Sequence, residues 1–513
     1  MNRKRFYVIG LFVLIVFLGA CGTSGIDSTN NSNENGKELI IAQPNDLNSL
    51  DPQDALSTSV ERVLRNMHAR LFMRDHDMDV VPDLVESYDN EDDETWHFKL
   101  KEDATFHNGD NVTAEDVKFS LERVMEDDTL KEYPYFKQLK EVNVLDDHEV
   151  EIITDGPMPT IEYVLAKSGA DIMPKEYVED VGIEEYKKEP IGAGPYQFVE
   201  RKIDDKIVLE KYDDYFGDEP VWDTVTVRSI TENSTRVGEL LSGNVDLITD
   251  VTSNEQDRIE SNDSTSIKQG ESTRVMLLMN RMTEGYATAD PKVREAIDLA
   301  IDQEAIVDSV LEGSGVPVRS RVPEGVFGSN PDLYDAYVYD PKKAKKLLKE
   351  AGYEDGLDIT LTSPKGQYPH DGQVAELIAS MLKEVGINVE LDLMEPGTFT
   401  EKYTDNENEE LIMIGLADGL MDASYSLVHY TIDRAKGQTD YHNEEVDELY
   451  NNATQTLDED ERVDMYQEIQ EIVAEERPHT FLYQDKVNYG VSDVIEFEPR
   501  LDETTYFDDI QLK

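Results

Sequence analysis

Two spacings of apolar residues alternate along this chain, a period of two and a period near 3.6, with no longer repeat superimposed on them. That excludes a solenoid or propeller and points to a mixed α/β or α+β architecture. Leu39-Ile40-Ile41-Ala42 reads as a buried strand and Ser57 to Leu71 as a helix. Thr95 to Leu100 alternates as a strand, and Phe106-His107-Asn108-Gly109-Asp110 supplies turn chemistry. Thr113 then suits an N-cap, with Glu115 and Asp116 in the first turn and Val117, Leu121 and Val124 along one face. Val374, Leu377, Ile378, Met381, Leu382 and Val385 form one stripe that predicts an amphipathic helix, closed by Gly386 and followed by a strand from Ile387 to Leu393. A second long helix is predicted from Asp458 to Glu475, with Val463, Tyr466, Ile469 and Val473 on its apolar side. Such stripes belong to a core before they belong to a ligand.

The first twenty residues follow a different rule. Arg3, Lys4 and Arg5 precede a run from Phe6 to Leu18 that is apolar apart from the Tyr7 hydroxyl and Gly10. It is shorter than the roughly 20 apolar residues a bilayer-spanning helix needs, and it has the layout of a secretory signal. Leu18-Gly19-Ala20-Cys21 places the only cysteine directly after small residues, which resembles a bacterial lipoprotein in which residues 1–20 are removed and Cys21 carries the lipid. Residues 21–36 are rich in Gly, Ser, Thr and Asn and read as a flexible tether. The expected location is the outer face of the cell membrane, or the periplasm in a Gram-negative cell. With one cysteine no intrachain disulfide forms.

Charge narrows the partners. Against 48 Lys and Arg the 513 residues carry 111 Asp and Glu, a formal charge of −63. Such a surface repels phosphate backbones, so nucleic acid is not expected as a partner. Self-repulsion on this scale is relieved by salt, which suits a saline or alkaline exterior.

No catalytic constellation emerges. The nine histidines are scattered without an H-E-x-x-H, and there is no G-x-S-x-G elbow. Gly192-Ala193-Gly194-Pro195-Tyr196 fits neither a dinucleotide fingerprint nor a P-loop, and its proline suits a bend before a strand. No catalytic residue, metal ligand or cofactor is assigned, and any coupled ATP hydrolysis falls to another protein.

Several motifs nonetheless stand in a fixed order. Val81-Pro82-Asp83-Leu84-Val85-Glu86-Ser87-Tyr88 leads through Trp96 to Leu100, Phe106 to Gly109 and Thr113 to Val117. Ile191 to Tyr196, Asp214-Tyr215-Phe216-Gly217, Ser234-Thr235-Arg236 and Leu241 to Asp246 follow, then Val293 to Asp302 and Tyr339 to Tyr353. Across residues 37 to 513 the chain resembles the family 5 extracellular solute-binding proteins, the peptide, nickel and glutathione receptors of ABC importers. The resemblance implies a two-lobed, periplasmic-binding-protein-like α/β fold hinged around a ligand cleft. Lobe I would comprise 37–59, 190–272 and 479–513, with an inserted subdomain at 60–189, and lobe II would be 273–478. It implies a monomeric, non-enzymatic receptor working with a membrane permease and its ATPase subunits.

Peptide-binding relatives hold the ligand's amine with an Asp after the Gly-Trp strand of lobe II and its carboxylate with a basic residue. Here that stretch is Gly415-Leu416-Ala417-Asp418-Gly419-Leu420-Met421-Asp422-Ala423, so the Trp is Leu416 and the Asp is Gly419, flanked by Asp418 and Asp422. Asp418 and Asp422 are the candidate amine ligands, and both also suit turn or cap positions. Arg319, Arg321 and Lys365 are the candidate carboxylate ligands, because a charge in a closed cleft needs a partner. Asp422-Ala423 and Lys365 to Ala375 look more like the glutathione branch. The expected ligand is a short peptide or glutathione-like molecule; the alternatives are a nickel or other metal chelate and, from another class, a secreted lipoprotein hydrolase or a sensory scaffold.

Overall fold

Two long antiparallel strands, Thr265–Asn280 and His479–Ser492, form the spine of the molecule. The computed structural model describes residues 36–513 except 55, 56, 335 and 408, so the leader, Cys21 and nearly all of the tether lie outside the described residues. From Lys37 to Lys513 the chain is one compact unit, and among the described residues no helix is long and apolar enough to cross a membrane.

The spine joins two hydrophobic cores. Ile267 on the first strand and Val487, Tyr489 and Val491 on the second pack into clusters with Leu39, Ile41, Val225 and Val237. Further along, Val275 to Met279 and Phe481 to Tyr483 pack instead with helices and strands of residues 293–473. The changeover falls between Ile267 and Val275 on one strand and between Tyr483 and Val487 on the other. These are the two lobes of an α/β fold built on one continuous eleven-stranded sheet.

Lobe I contributes Glu38–Gln43, parallel to Thr224–Ser229 and to Leu247–Ile248, with the hairpin Tyr196–Lys202 and Lys206–Lys211 at the sheet's edge. Lobe II contributes Leu357–Pro364, parallel to Ile387–Met394 and Leu411–Leu416. The predicted helix runs Asp371–Val385, with Val374, Ile378, Leu382 and Val385 buried and Gly386 at φ 99° ending it in the left-handed region. Each fully buried Val, Ile or Leu contributes about 1.5–3 kcal/mol, so this stripe is enough to dock the helix. The other long helix is Glu459–Glu476, and its buried side carries Arg462 and Gln470 beside the expected Tyr466, Ile469 and Val473.

A separate four-stranded antiparallel sheet, ordered Val85–Asn90, Thr95–Leu100, Glu149–Thr154, Leu139–Asp146, forms the inserted subdomain. The first helix spans Thr58–Met67, shorter than expected, because His68 is already extended at φ −118°, ψ 148°. Val60, Val63, Leu64 and Met67 pack in the lobe I core, whereas the subdomain's own core starts at Ala69. The seam between these two packing clusters lies near residue 68.

Two of the sequence motifs meet at that seam. A Cβ on Gly192 would sit 2.0 Å from the Met67 carbonyl oxygen, and one on Gly194 would sit 2.6 Å from the Met67 carbonyl carbon. Only glycine allows this approach. His107, from the turn motif, clamps the same segment: its Nε2 reaches the Gly194 carbonyl at 3.0 Å and its Nδ1 meets the Gly192 N–H at 3.2 Å. One nitrogen must therefore donate and the other accept, which is the neutral imidazole. Burial agrees, lowering this histidine to about 4.

Candidate functional site

Strand direction locates the site. Leu416, the last residue of its strand, pairs with Val275, so lobe II's parallel strands end at the changeover. Leu247 pairs with Val491 and Ile248 with Gly490, so lobe I's parallel strands run down the spine toward the same place. The carboxyl ends of both parallel sets thus converge, and in open α/β sheets the crevice outside those ends is where ligands bind.

The spine itself is irregular there. Glu271 pairs with Lys486 and Val275 with Gln484, so Ser272, Thr273 and Arg274 stand opposite Asp485 alone. A bulge of this kind re-aims side chains. Arg274 Nη1 lies 3.8 Å from Asp485 and 3.7 Å from Glu503, which comes from the C-terminal segment of lobe I and also accepts from Ser272 Oγ. Burial raises the Asp485 carboxyl to about 7, against the pull of Arg274. Arg274 is raised in turn, because Glu503 and Asp485 outweigh its own desolvation.

Loops from both lobes meet beside this crossing. Tyr368 donates to the Gly415 carbonyl at 3.1 Å, and the Asp371 carboxylate gathers the N–H groups of Gly366, Gln367 and Tyr368. His370 Nε2 and Ser253 Oγ, from opposite lobes, are 3.0 Å apart. The Ala417–Asp422 segment lies against the spine through the Asp418 N–H on Thr273 Oγ1 at 3.1 Å. Its far side meets the inserted subdomain, where Arg74 Nη2 donates to the Leu420 carbonyl at 2.8 Å and Tyr135 stacks on Tyr425 with their hydroxyls 3.0 Å apart. Between subdomain and lobe II lies a cavity of about 320 Å³, lined among others by Tyr135, Met158, Leu420, Tyr425 and Tyr450.

The five charged residues expected at the ligand fall into two groups. Asp418, Asp422 and Arg321 come together beneath the loop. Asp418 Oδ1 accepts from the N–H groups of Leu420 and Met421, and its Oδ2 accepts from Ser426 Oγ at 2.6 Å. Arg321 donates to the Ser426 carbonyl. Asp422 caps the helix Ala423–Leu427 through the Ser424 N–H and lies 3.6 Å from Arg462, whose guanidinium covers the Phe327 ring at 4.3 Å. Burial raises both carboxyls. These are the turn and cap positions that the same residue types suit.

Arg319 and Lys365 lie elsewhere. Arg319 is bound by Asp298 at 3.0 Å and by the Ala474 carbonyl at 3.0 Å. Lys365 follows the strand Leu357–Pro364, is exposed, and lays its stem over Gly372.

Sequence reasoning missed Arg274, Asp485 and Glu503. The available signal was a charge interrupting an apolar strand, as in Thr273-Arg274-Val275-Met276 and Tyr483-Gln484-Asp485.

Residues 79–438 match the model of the bacterial extracellular solute-binding proteins, family 5 (middle). The chain belongs to this family. Glutathione-binding protein GsiB of Pectobacterium atrosepticum is 28% identical over 467 residues, covering 88% of this chain and 89% of that protein. Oligopeptide-binding protein AppA of Bacillus subtilis is 28% identical over 533 residues, covering 96% of each. HbpA2 from Haemophilus parasuis shares the fold with a TM-score of 0.84, at 22% identity, over 93% of this chain and all of that one. As a family 5 solute-binding protein, the chain has its converging strand ends where the two lobes meet.

Proposed function

We propose that this family 5 protein is a lipid-anchored receptor of an ABC importer that captures a short peptide or glutathione-like molecule outside the cell and passes it, unaltered, to the membrane permease. The observation that carries the reading is the convergence of both sets of parallel strand ends on a polar crossing that belongs to neither core. A solute seated there touches both lobes, so its binding energy favours the arrangement in which they approach. Relatives matched along most of their length are named for glutathione and oligopeptide binding, which supports this ligand class.

In this reading the Ala417–Asp422 loop is the lobe II lip of the site, with Asp418, Asp422 and Arg321 fixing its shape. Lys365, exposed and beside the cleft-forming loop 366–371, is the remaining cation for a ligand carboxylate. Cys21 carries the anchor, and the tether of residues 22–36 lets the receptor turn beside its permease; stable retention takes at least two acyl chains.

Titration calorimetry with glutathione, Ala-Ala-Ala and nickel–histidine tests the reading. Heat from glutathione or the tripeptide at one site per chain, with the peptide recovered whole, supports it. Heat from the nickel chelate alone, or hydrolysis of the peptide, overturns it.

A further inference from the structure

A cavity of about 300 Å³ lies away from the converging strand ends. The residues that line it fall within 65–83, 195–218 and 500–509, and none comes from the core of residues 293–473. Arg65, Arg70, Arg74 and Arg500 all line it, each at most 3% exposed. This gathering of cations stands in a chain whose acids outnumber its bases 111 to 48. A buried charge is costly unless it is paired and hydrogen-bonded.

Two of the four arginines are answered by the protein. Arg70 meets Asp171 at 2.5 Å, and Arg500 meets Asp502 at 3.1 Å and Asp509 at 3.5 Å. The other two are left short. Among the described residues Arg74 forms no ion pair; its Nη2 donates to the Leu420 carbonyl, and its Nε has no partner. Arg65 stands 3.5 Å from Glu61 and 3.6 Å from Asp502, which Arg500 already uses, and its Nε and Nη1 have no hydrogen-bond partner among the described residues.

The carboxylates around the cavity do not make up the difference. Asp83 accepts from the Arg70 N–H at 2.9 Å, Asp508 accepts from the Tyr196 hydroxyl and the Val221 N–H, and Asp75 accepts from the N–H groups of Asp77 and Asp79. Asp218 and Asp509 are exposed to solvent. Burial, with Arg65 alongside, lowers the Arg74 guanidinium to about 10, in keeping with a cation that lacks a counter-charge. A guanidinium offers a fork of N–H donors that matches the oxygens of a carboxylate, phosphate or sulfate. The volume is at the lower end of the range for ligand pockets, about 300–1,000 Å³, which suits a small solute.

We propose that this cavity is an anion site, separate from the cleft between the lobes, in which Arg74 and Arg65 take a compact oxyanion: a phosphate, a sulfate or a short carboxylate. The inference does not depend on what the cleft itself captures.

Calorimetry with inorganic phosphate, sulfate and succinate, in chloride buffer of fixed ionic strength, tests it on the full-length protein and on its Arg74→Gln and Arg65→Lys variants. At least one of the three anions is expected to bind at one site per chain, with a dissociation constant in the millimolar range or below. That binding is expected to weaken at least tenfold in Arg74→Gln, which keeps a donor for Leu420 but no charge, and at least threefold in Arg65→Lys, which keeps the charge but loses the fork. Thermal midpoints near that of the unsubstituted protein show that the variants are folded, and either variant alone decides the matter if the other fails to fold. Binding of phosphate or sulfate identifies a tetrahedral oxyanion as the ligand, and binding of succinate alone identifies a carboxylate; both support the site. Binding of none of the three to the unsubstituted protein, or binding that is unchanged in the folded variants, overturns the inference.

Discussion

Replacing Asp418 by Ala should destabilise the loop at the lip of the cleft whether or not a ligand is present. Its carboxylate satisfies the N–H groups of Leu420 at 3.0 Å and Met421 at 2.8 Å, together with the Ser426 hydroxyl at 2.6 Å, and the residue is 4% exposed. A buried donor left without an acceptor costs about 1–3 kcal/mol. The hydroxyl can rotate to another acceptor, so two orphaned N–H groups dominate and the expected loss is about 2–6 kcal/mol. Asp418→Asn keeps an oxygen where Oδ1 sits and should cost only about 1 kcal/mol. Urea unfolding of the ligand-free protein measures the global cost, and amide hydrogen exchange at residues 420 and 421 reports the local one. The carbonyl of Leu420 also anchors Arg74 from the subdomain, so exchange should quicken around Arg74 as well. An Ala variant within about 0.5 kcal/mol of the parent, with unchanged exchange at 420 and 421, would refute the staple role.

Three further outcomes follow from the same geometry. Asp485 takes up its proton near pH 7 in the folded protein but near 3.8 when unfolded, so the folded state binds that proton more tightly and stability falls as pH rises from about 4 through 7. Asp485→Asn should lack this decline and be the more stable protein at pH 8, by at most about 4 kcal/mol, with little difference at pH 4; paired denaturation curves at the two pH values check it. Gly194→Ala should lower the thermal midpoint sharply, because its Cβ would lie 2.6 Å from the Met67 carbonyl carbon and neither backbone can yield; an unchanged midpoint contradicts the close approach. With a formal charge of −63, the thermal midpoint should rise as sodium chloride is raised from 0.01 to 1 M, a range over which the screening length falls from about 30 to 3 Å, and a flat or falling curve would contradict the repulsion argument.

Local signals carried the sequence a long way. The strand Thr95–Leu100, the helix Asp371–Val385 with its Gly386 stop and the last long helix, Glu459–Glu476 against an expected Asp458 to Glu475, are all set by residues within a few positions of one another, and all occur within a residue of their expected bounds. The relation between Phe106 to Gly109 and Ile191 to Tyr196 was legible only as order along the chain. Its reason, a histidine clamping a glycine segment onto the end of a helix, needs contacts across 85 and 87 positions. The charged site residues were harder still. Asp418 sits in an Asp-Gly-Leu-Met turn whose local pattern supports a backbone-capping role as well as a ligand role, and only the partners decide between them. Arg274 and Asp485 face each other because two strands some 200 residues apart pair with a bulge between them, a fact of register that no local pattern contains.

The claim on which the account depends is that a small solute is held between the two lobes and released chemically intact. Native mass spectrometry of the full-length protein, mixed with an equimolar set of di- to pentapeptides and glutathione, tests it most directly. The account predicts a single added mass per chain, matching an intact member of the set, and the same molecule recovered whole after denaturation. A protein that adds no mass from the set, or that returns fragments of it, would contradict the account.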